Sequence, residues 1–162
     1  MRNENDVEIV ERLRNSPSDI IQVAMYAHMG QVDKAGRPYI LHPMRVAHRV
    51  AMGGGSFHQV TAAWLHDVVE DTHVTLEDLA GMVQFNHFYE HALKIIQVLT
   101  HEKNEPYSDY IARILTVPGA KAVKRADILD NMDLGRLSCL DTETAARLWK
   151  KYDKALAQLD EG

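Results

Sequence analysis

The stretch "AAWLHDVVEDTH", residues 62–73, sets a His-Asp pair, His66 and Asp67, two residues ahead of an acidic pair, Glu70 and Asp71. Ala62, Ala63, Trp64 and Leu65 precede the pairs, and Val68 and Val69 lie between them. Side chains four apart share a helical face, so a helix here stacks His66 over Glu70 and Asp67 over Asp71. A solvated helix face has no need of four titratable groups hemmed in by aliphatic ones. A metal site does, if further ligands lie elsewhere in the chain.

Two other segments supply them. "PYILHP", residues 38–43, puts His42 at the end of a loop marked by Gly30, Gly36 and Pro38, just before a helix led by Pro43. "VKRADILDNMDL", residues 123–134, puts Asp127 in a helix whose buried side is expected to be Ala120, Val123, Ala126, Leu129 and Leu134. A carboxylate near an inward face is costly unless it is paired or binds a metal. His42, His66, Asp67 and Asp127 together make two imidazoles and two carboxylates. Such a mixed N/O set suits one first-row divalent ion with positions left for water and substrate. Manganese, zinc and iron are all compatible with it.

The bulk properties frame this site. The chain has 162 residues, 46% hydrophobic and 25% charged, as expected of one globular domain burying its own core. No apolar run approaches the roughly 20 residues of a membrane span. The opening "MRNENDVEIV" lacks the apolar centre of a signal peptide, so a cytoplasmic protein is expected. The single cysteine, Cys139, can form neither an internal disulfide nor a CxxC zinc site. A net charge of -5 argues against nucleic-acid binding, which draws on a basic face. It leaves room for a small phosphorylated ligand held by a cation and a few lysines.

Helical periodicity runs almost throughout and predicts an all-α fold: a single compact helical bundle over 1–162, with the metal site between helices. Ser16, Pro17 and Asp19 read as the start of a first helix with Ile20, Val23, Ala24 and Ala27 inward. A second helix opens at Pro43, buries Val46, Ala47 and Val50, and ends at "GGGS", 53–56. A third, from Phe57 to about Val69, carries the opening motif. Thr75 and Asp78 cap a short helix reaching about Met82, and further helices are predicted at 86–100, 107–116, 119–132 and 142–160. The motifs fall within 20–137, and the last helix, in 138–162, repeats Ala145, Leu148, Trp149, Tyr152, Leu156 and Leu159 at helical spacing. Trp64 and Trp149 read as core, and Asp130 and Asp133 as facing water. Lys103, Lys121, Lys124 and Arg125 read chiefly as solvated charges, and the histidines outside the motifs as structural or exposed.

Taken together, "GRPYILHP", "AAWLHDVVEDT" and "VKRADILDNM" resemble the HD-domain phosphohydrolases, and more narrowly the hydrolase domain of the RelA/SpoT-type alarmone enzymes and their small single-domain relatives. The resemblance implies one manganese ion on His42, His66, Asp67 and Asp127. It also implies that Glu70 and Asp71 form the catalytic acidic pair that positions or activates water, that Asn131 contacts substrate, and that Lys34 stands near the phosphates. The reaction it implies is removal of the 3′-pyrophosphate from a ppGpp-type nucleotide of the stringent response. Asp33 and Asp133 stand where guanine-specific members carry arginines. An aspartate neither stacks on nor pairs with a base as a guanidinium does, so ppApp stays open beside ppGpp. Two other readings remain: a general HD nucleotidase or phosphatase on other nucleotides or NADPH, and a non-catalytic nucleotide-binding module. The acidic pair and the "YILHP" segment favour the first reading.

Overall fold

The computed structural model describes residues 20–82 and 89–162. Every regular element among them is a helix, in keeping with the all-α expectation. In chain order these are α1 (Ile20–Ala27), α2 (Leu41–Met52), α3 (Phe57–Leu65), α4 (Val68–Asp71), α5 (Leu76–Met82), α6 (Glu90–Leu99), α7 (Tyr107–Ile114), α8 (Ala120–Asn131), α9 (Leu134–Leu137) and α10 (Thr142–Glu161). The expected caps Ser16, Pro17 and Asp19, the histidine His87 and the first residues of the 86–100 helix lie outside the described residues.

The helix α3 sits at the centre, packing on α1, α2, α6 and α8, and α2 also lies against α8. Ala47 on α2 and Ala62 and Ala63 on α3 are buried. Side chains that end at Cβ let helix backbones approach closely. Around them Val23, Val46, Val50, Leu65, Ile95, Ile96, Ile111, Ile114, Val123 and Ile128 fill one continuous core. Ser56 caps α3 through a reciprocal capping box with Gln59. Thr75 and Asp78 exchange hydrogen bonds at the start of α5, as their spacing predicts.

Three expectations need correction. The opening motif does not ride on one helix: α3 stops at Leu65, His66 and Asp67 form a turn, and α4 resumes at Val68. Only the backbone bond from Asp71 N–H to Asp67 O, 2.8 Å, preserves the helical relation of Asp67 and Asp71. The 119–132 helix ends at Asn131, so Leu134 belongs to a separate turn and is 71% exposed, while Ile128 takes the buried place. Trp149 is exposed on α10, where Leu148, Ala155 and Leu159 face the core instead. Trp64 is half-buried and packs against the core, as expected.

Two turns fix the approach of the site helices. Gly119 enters α8 at φ +90°, a conformation that glycine adopts without steric penalty. A Cβ at Gly119 would also stand 3.1 Å from Gln59 Cγ and 3.3 Å from Ile95 Cδ1. The segment between α6 and α7 is tied down by Arg113. Its guanidinium donates to Val98 O and Thr100 O at the end of α6 and clamps the Glu105 carboxylate through two 2.7 Å bonds. That clamp holds the Glu105 pKa down to about 2. A depressed carboxylate adds stability above its unfolded pKa, near 4.3, and loses it as pH falls through the folded value. Urea midpoints of Glu105→Gln are therefore expected to lie below those of the parent above pH 5, with the gap closing toward pH 2. A constant gap across that range would contradict the clamp.

Candidate metal centre

His42 in the first turn of α2, His66 and Asp67 in the turn between α3 and α4, and Asp127 within α8 meet where the three helices pack. The imidazole Nε2 of His42 lies 3.4 Å from Asp67 Oδ2 and 3.2 Å from Asp127 Oδ1. The His66 Nε2 lies 3.2 Å from Asp67 Oδ1 and 3.8 Å from Asp127 Oδ1. The two rings sit edge to face with centroids 5.2 Å apart. Ligand atoms of His42, His66 and Asp67 all fall within 4.8 Å of one another.

The far side of each ring is anchored. His66 Nδ1–H donates to Ala63 O, 2.8 Å, satisfying a carbonyl that the end of α3 leaves without a helical partner. Because a carbonyl only accepts, this bond fixes the tautomer and leaves Nε2 as the free donor atom. That Nε2 is buried and has no hydrogen-bond partner. His42 Nδ1–H donates to Asp130 Oδ2, 2.7 Å. Asp130 is in turn gripped by Arg45 through bonds of 2.7 and 3.0 Å and by Arg136. Lys124 Nζ holds Asp127 Oδ2 at 2.8 Å, and Asn131 Nδ2 donates to Asp127 Oδ1 at 2.6 Å.

Electrostatics describe a pocket built for a positive charge. Burial pulls the pKa of His66 down, yet the Asp67 and Asp127 carboxylates raise it to about 9. Burial likewise works against a charged His42, and hydrogen bonds with Asp127, Asp130 and Asp67 push its pKa well above the ordinary value. Burial would raise both ligand carboxyls, but the facing imidazoles, and Lys124 beside Asp127, hold them well below the carboxylate range. A cation placed there would serve as the counter-charge that protons otherwise provide. Two imidazoles with anchored Nδ1 atoms and two ionised carboxylates fit a divalent ion.

The acidic pair lines a cleft of about 570 Å³ that takes in this centre, along with Lys34, Tyr39, Lys124, Asn131 and Arg136. Glu70 Oε2 accepts from the His101 backbone N–H, 2.9 Å. Desolvation raises the Glu70 pKa, against the pull of that bond and of Lys124. The Tyr39 hydroxyl lies 2.7 Å from Asp67 Oδ2 and 2.8 Å from Asp71 Oδ2, joining the metal set to the acidic pair. Lys34 is exposed at the cleft wall. Asp33 closes the loop instead, accepting from the backbone of Ala35 and Arg37 and standing 3.8 Å from Arg136.

No family model matches the chain. It is 33% identical over 138 residues to the guanosine-3′,5′-bis(diphosphate) 3′-pyrophosphohydrolase MESH1 of Mus musculus, covering 80% of this chain and 73% of that protein. It is 32% identical over 142 residues to a probable GTP pyrophosphokinase of Mycobacterium leprae, covering 85% of this chain and 18% of that protein. A guanosine-3′,5′-bis(diphosphate) 3′-pyrophosphohydrolase of Aquifex aeolicus is 32% identical over 119 residues, 68% of this chain and 16% of its own. The chain thus spans under a fifth of the length of these two bacterial relatives. A solved structure described as a metazoan ortholog of SpoT that hydrolyzes ppGpp shares the fold. Its TM-score is 0.71 at 24% identity, over 86% of this chain and 83% of that one. The fold is that of the HD-type hydrolases. Within that class the chain belongs to the guanosine-3′,5′-bis(diphosphate) 3′-pyrophosphohydrolase family.

The structure gathers His42, His66, Asp67 and Asp127 at one point and sets Glu70, Asp71, Asn131 and Lys34 around the same cleft. It corrects Asp130, which is buried behind His42 rather than facing water. Asp133 is exposed, as expected, and caps α9. Lys124 is no solvated helix charge but a partner of Asp127. The sequence did not mark Tyr39, Arg45 and Arg136 as site residues. Tyr39 lay in the quoted "PYILHP" segment, whereas nothing in the spacing pairs Arg45 with Asp130, 85 residues away. Partners that orient a ligating imidazole typically change metal affinity 10–100-fold when lost. Asp130→Asn is expected to weaken divalent-cation binding by about that factor, measured by calorimetry. Unchanged affinity would leave Asp130 without a role in holding His42.

Proposed function

We propose that the chain is a divalent-cation-dependent pyrophosphohydrolase that removes the 3′-pyrophosphate from an alarmone-type nucleotide such as ppGpp. The observation that carries this reading is the joining of the two functional sets by one hydroxyl: Tyr39 bridges Asp67 of the metal centre and Asp71 of the acidic pair at 2.7 and 2.8 Å. MESH1, the Aquifex aeolicus relative and the solved metazoan SpoT ortholog act on that nucleotide by their own descriptions, and this chain shares their family.

His42, His66, Asp67 and Asp127 hold the cation, for which manganese is the proposed identity. When bound, it supplies Lewis-acid polarisation of a phosphoryl oxygen and makes water more acidic. Glu70 and Asp71 orient the attacking water and accept its proton. The raised pKa of Glu70 suits a general base better than that of a fully solvated glutamate. The His101 backbone N–H fixes one Glu70 oxygen, so the other is available to water. Tyr39 and Asn131 steady Asp71 and Asp127 respectively, and Lys34 meets phosphate oxygens from the loop.

Base choice rests on the 31–40 loop. Asp33 spends its carboxylate on the loop's own N–H groups and on Arg136, so no stacking guanidinium comes from that position. This supports turnover of ppApp alongside ppGpp by the same centre. Among the described residues no helix is long and apolar enough to cross a membrane, and action on a soluble nucleotide in the cytoplasm follows as part of the proposal.

A product-resolved assay with added manganese over ppGpp, ppApp, nucleoside mono- and triphosphates and NADPH tests this reading. Pyrophosphate is expected only from the 3′-pyrophosphorylated species. Asp67→Ala should lose bound metal and turnover together. Glu70→Gln should keep the metal while kcat drops by about 10²–10⁴. Orthophosphate release from monophosphates or NADPH as the dominant activity would support a general nucleotidase instead.

A further inference from the structure

The family motifs end before α10, yet α10 furnishes one wall of the cleft through Leu148, Lys151 and Tyr152. It is fastened to α7 by the Gln158 amide, which donates to Ser108 O at 2.7 Å. Across that junction the Lys151 ammonium stands 4.1 Å from the centre of the Tyr107 ring and 5.7 Å from that of Tyr152. Lys124 holds the matching position over Tyr110, at 4.9 Å, and the two tyrosine rings are neighbours at 5.6 Å. Two lysines therefore share one aromatic wall beside the metal centre.

Their charges are spent differently. Lys124 is paired with Asp127 Oδ2, and Arg136 with Asp130. Among the described residues lining the cleft, Lys34 and Lys151 are the cations with no carboxylate within ion-pair distance. The Lys151 pKa is lowered, first by burial and then by the Lys124 ammonium, and Glu70, Asp127 and Lys34 also act on it. Lys124, over the neighbouring tyrosine ring, is itself bound to Asp127 of the candidate metal set. A lysine resting on an aromatic face gains part of its stabilisation there while its N–H donors stay free for an oxyanion. The cleft also carries Asp67, Glu70, Asp71 and Asp127, so a polyanion needs cations beyond one divalent ion and a neutralised Lys124.

We propose that Lys151 binds the pyrophosphoryl group that leaves, gripping it from α10 beside Lys124. This rests on the 3′-pyrophosphohydrolase reading above and assigns a leaving-group contact to a helix outside the family motifs. Hydrogen bonds to charged groups contribute about 1.5–3 kcal/mol, which converts to a loss of roughly 10–100-fold in affinity when the ammonium is removed.

Calorimetric binding of inorganic pyrophosphate and of GDP to the cation-loaded chain separates the possibilities. Lys151→Met keeps the stem against Tyr107 and is expected to weaken pyrophosphate about 10–100-fold while GDP changes less than about twofold. Lys151→Arg restores the charge and most of the pyrophosphate affinity, and it carries the test should the Met variant fold poorly. Loss of GDP affinity with pyrophosphate unchanged would overturn the assignment and place Lys151 at the nucleoside's 5′ side. No change in either ligand would overturn it as well. Turnover of ppGpp by the parent chain tests the underlying reaction separately, because the binding comparison does not depend on catalysis.

Discussion

Two imidazoles and two carboxylates drawn to one helix junction, all but Asp67 fully buried, are the constraint on which the rest of the structure depends. Charges removed from water are costly unless each finds a partner. Here the partners arrive in layers: Asp67 and Asp127 face the imidazole Nε2 atoms, Ala63 O and Asp130 hold the Nδ1 atoms, and Arg45 and Arg136 hold Asp130. Because α2, α3 and α8 each contribute to this set, their mutual packing and the position of the ligands cannot vary independently. The small residues Ala47, Ala62 and Ala63 are buried for the same reason, since bulkier side chains would drive the ligand-bearing backbones apart.

The cleft gathers cations that the chain's net charge does not announce. The chain carries a net -5, yet the cleft collects Lys34, Lys124, Lys151 and Arg136 around its acids. Long-range attraction of a polyanion is not what such a surface offers, and the specific cleft must supply the affinity. The loop over 31–40 belongs to the same arrangement. Asp33 knits its turn through Ala35 and Arg37 and reaches toward Arg136, which also grips Asp130. Asp33, where the resemblance leads one to expect a base-stacking arginine, is here tied through Arg136 to the framework behind His42.

Much of this was legible in the sequence because the candidate ligands lie in short motifs whose residue types are hard to explain otherwise. His42 before Pro43, His66-Asp67 ahead of Glu70-Asp71, and Asp127 among aliphatic residues each broke the expected pattern of a helix. The break at His66 was not legible: "AAWLHDVVED" has uniform helical periodicity, and only tertiary packing turns the His-Asp pair into a corner. Asp130 escaped for a related reason. It lies three residues from Asp127, and its burial depends on Arg45 and Arg136 arriving from elsewhere in the fold. Trp149 shows the opposite failure, an aromatic at core spacing left exposed because Leu148, Ala155 and Leu159 already fill the α10 contact.

The most direct measurement of the central claim is an anomalous-scattering map from crystals grown with manganese. One peak is expected, at coordinating distance from His42 Nε2, His66 Nε2 and a carboxylate oxygen each of Asp67 and Asp127. A peak seated elsewhere in the cleft, or these four side chains turned away from the ion, would contradict it.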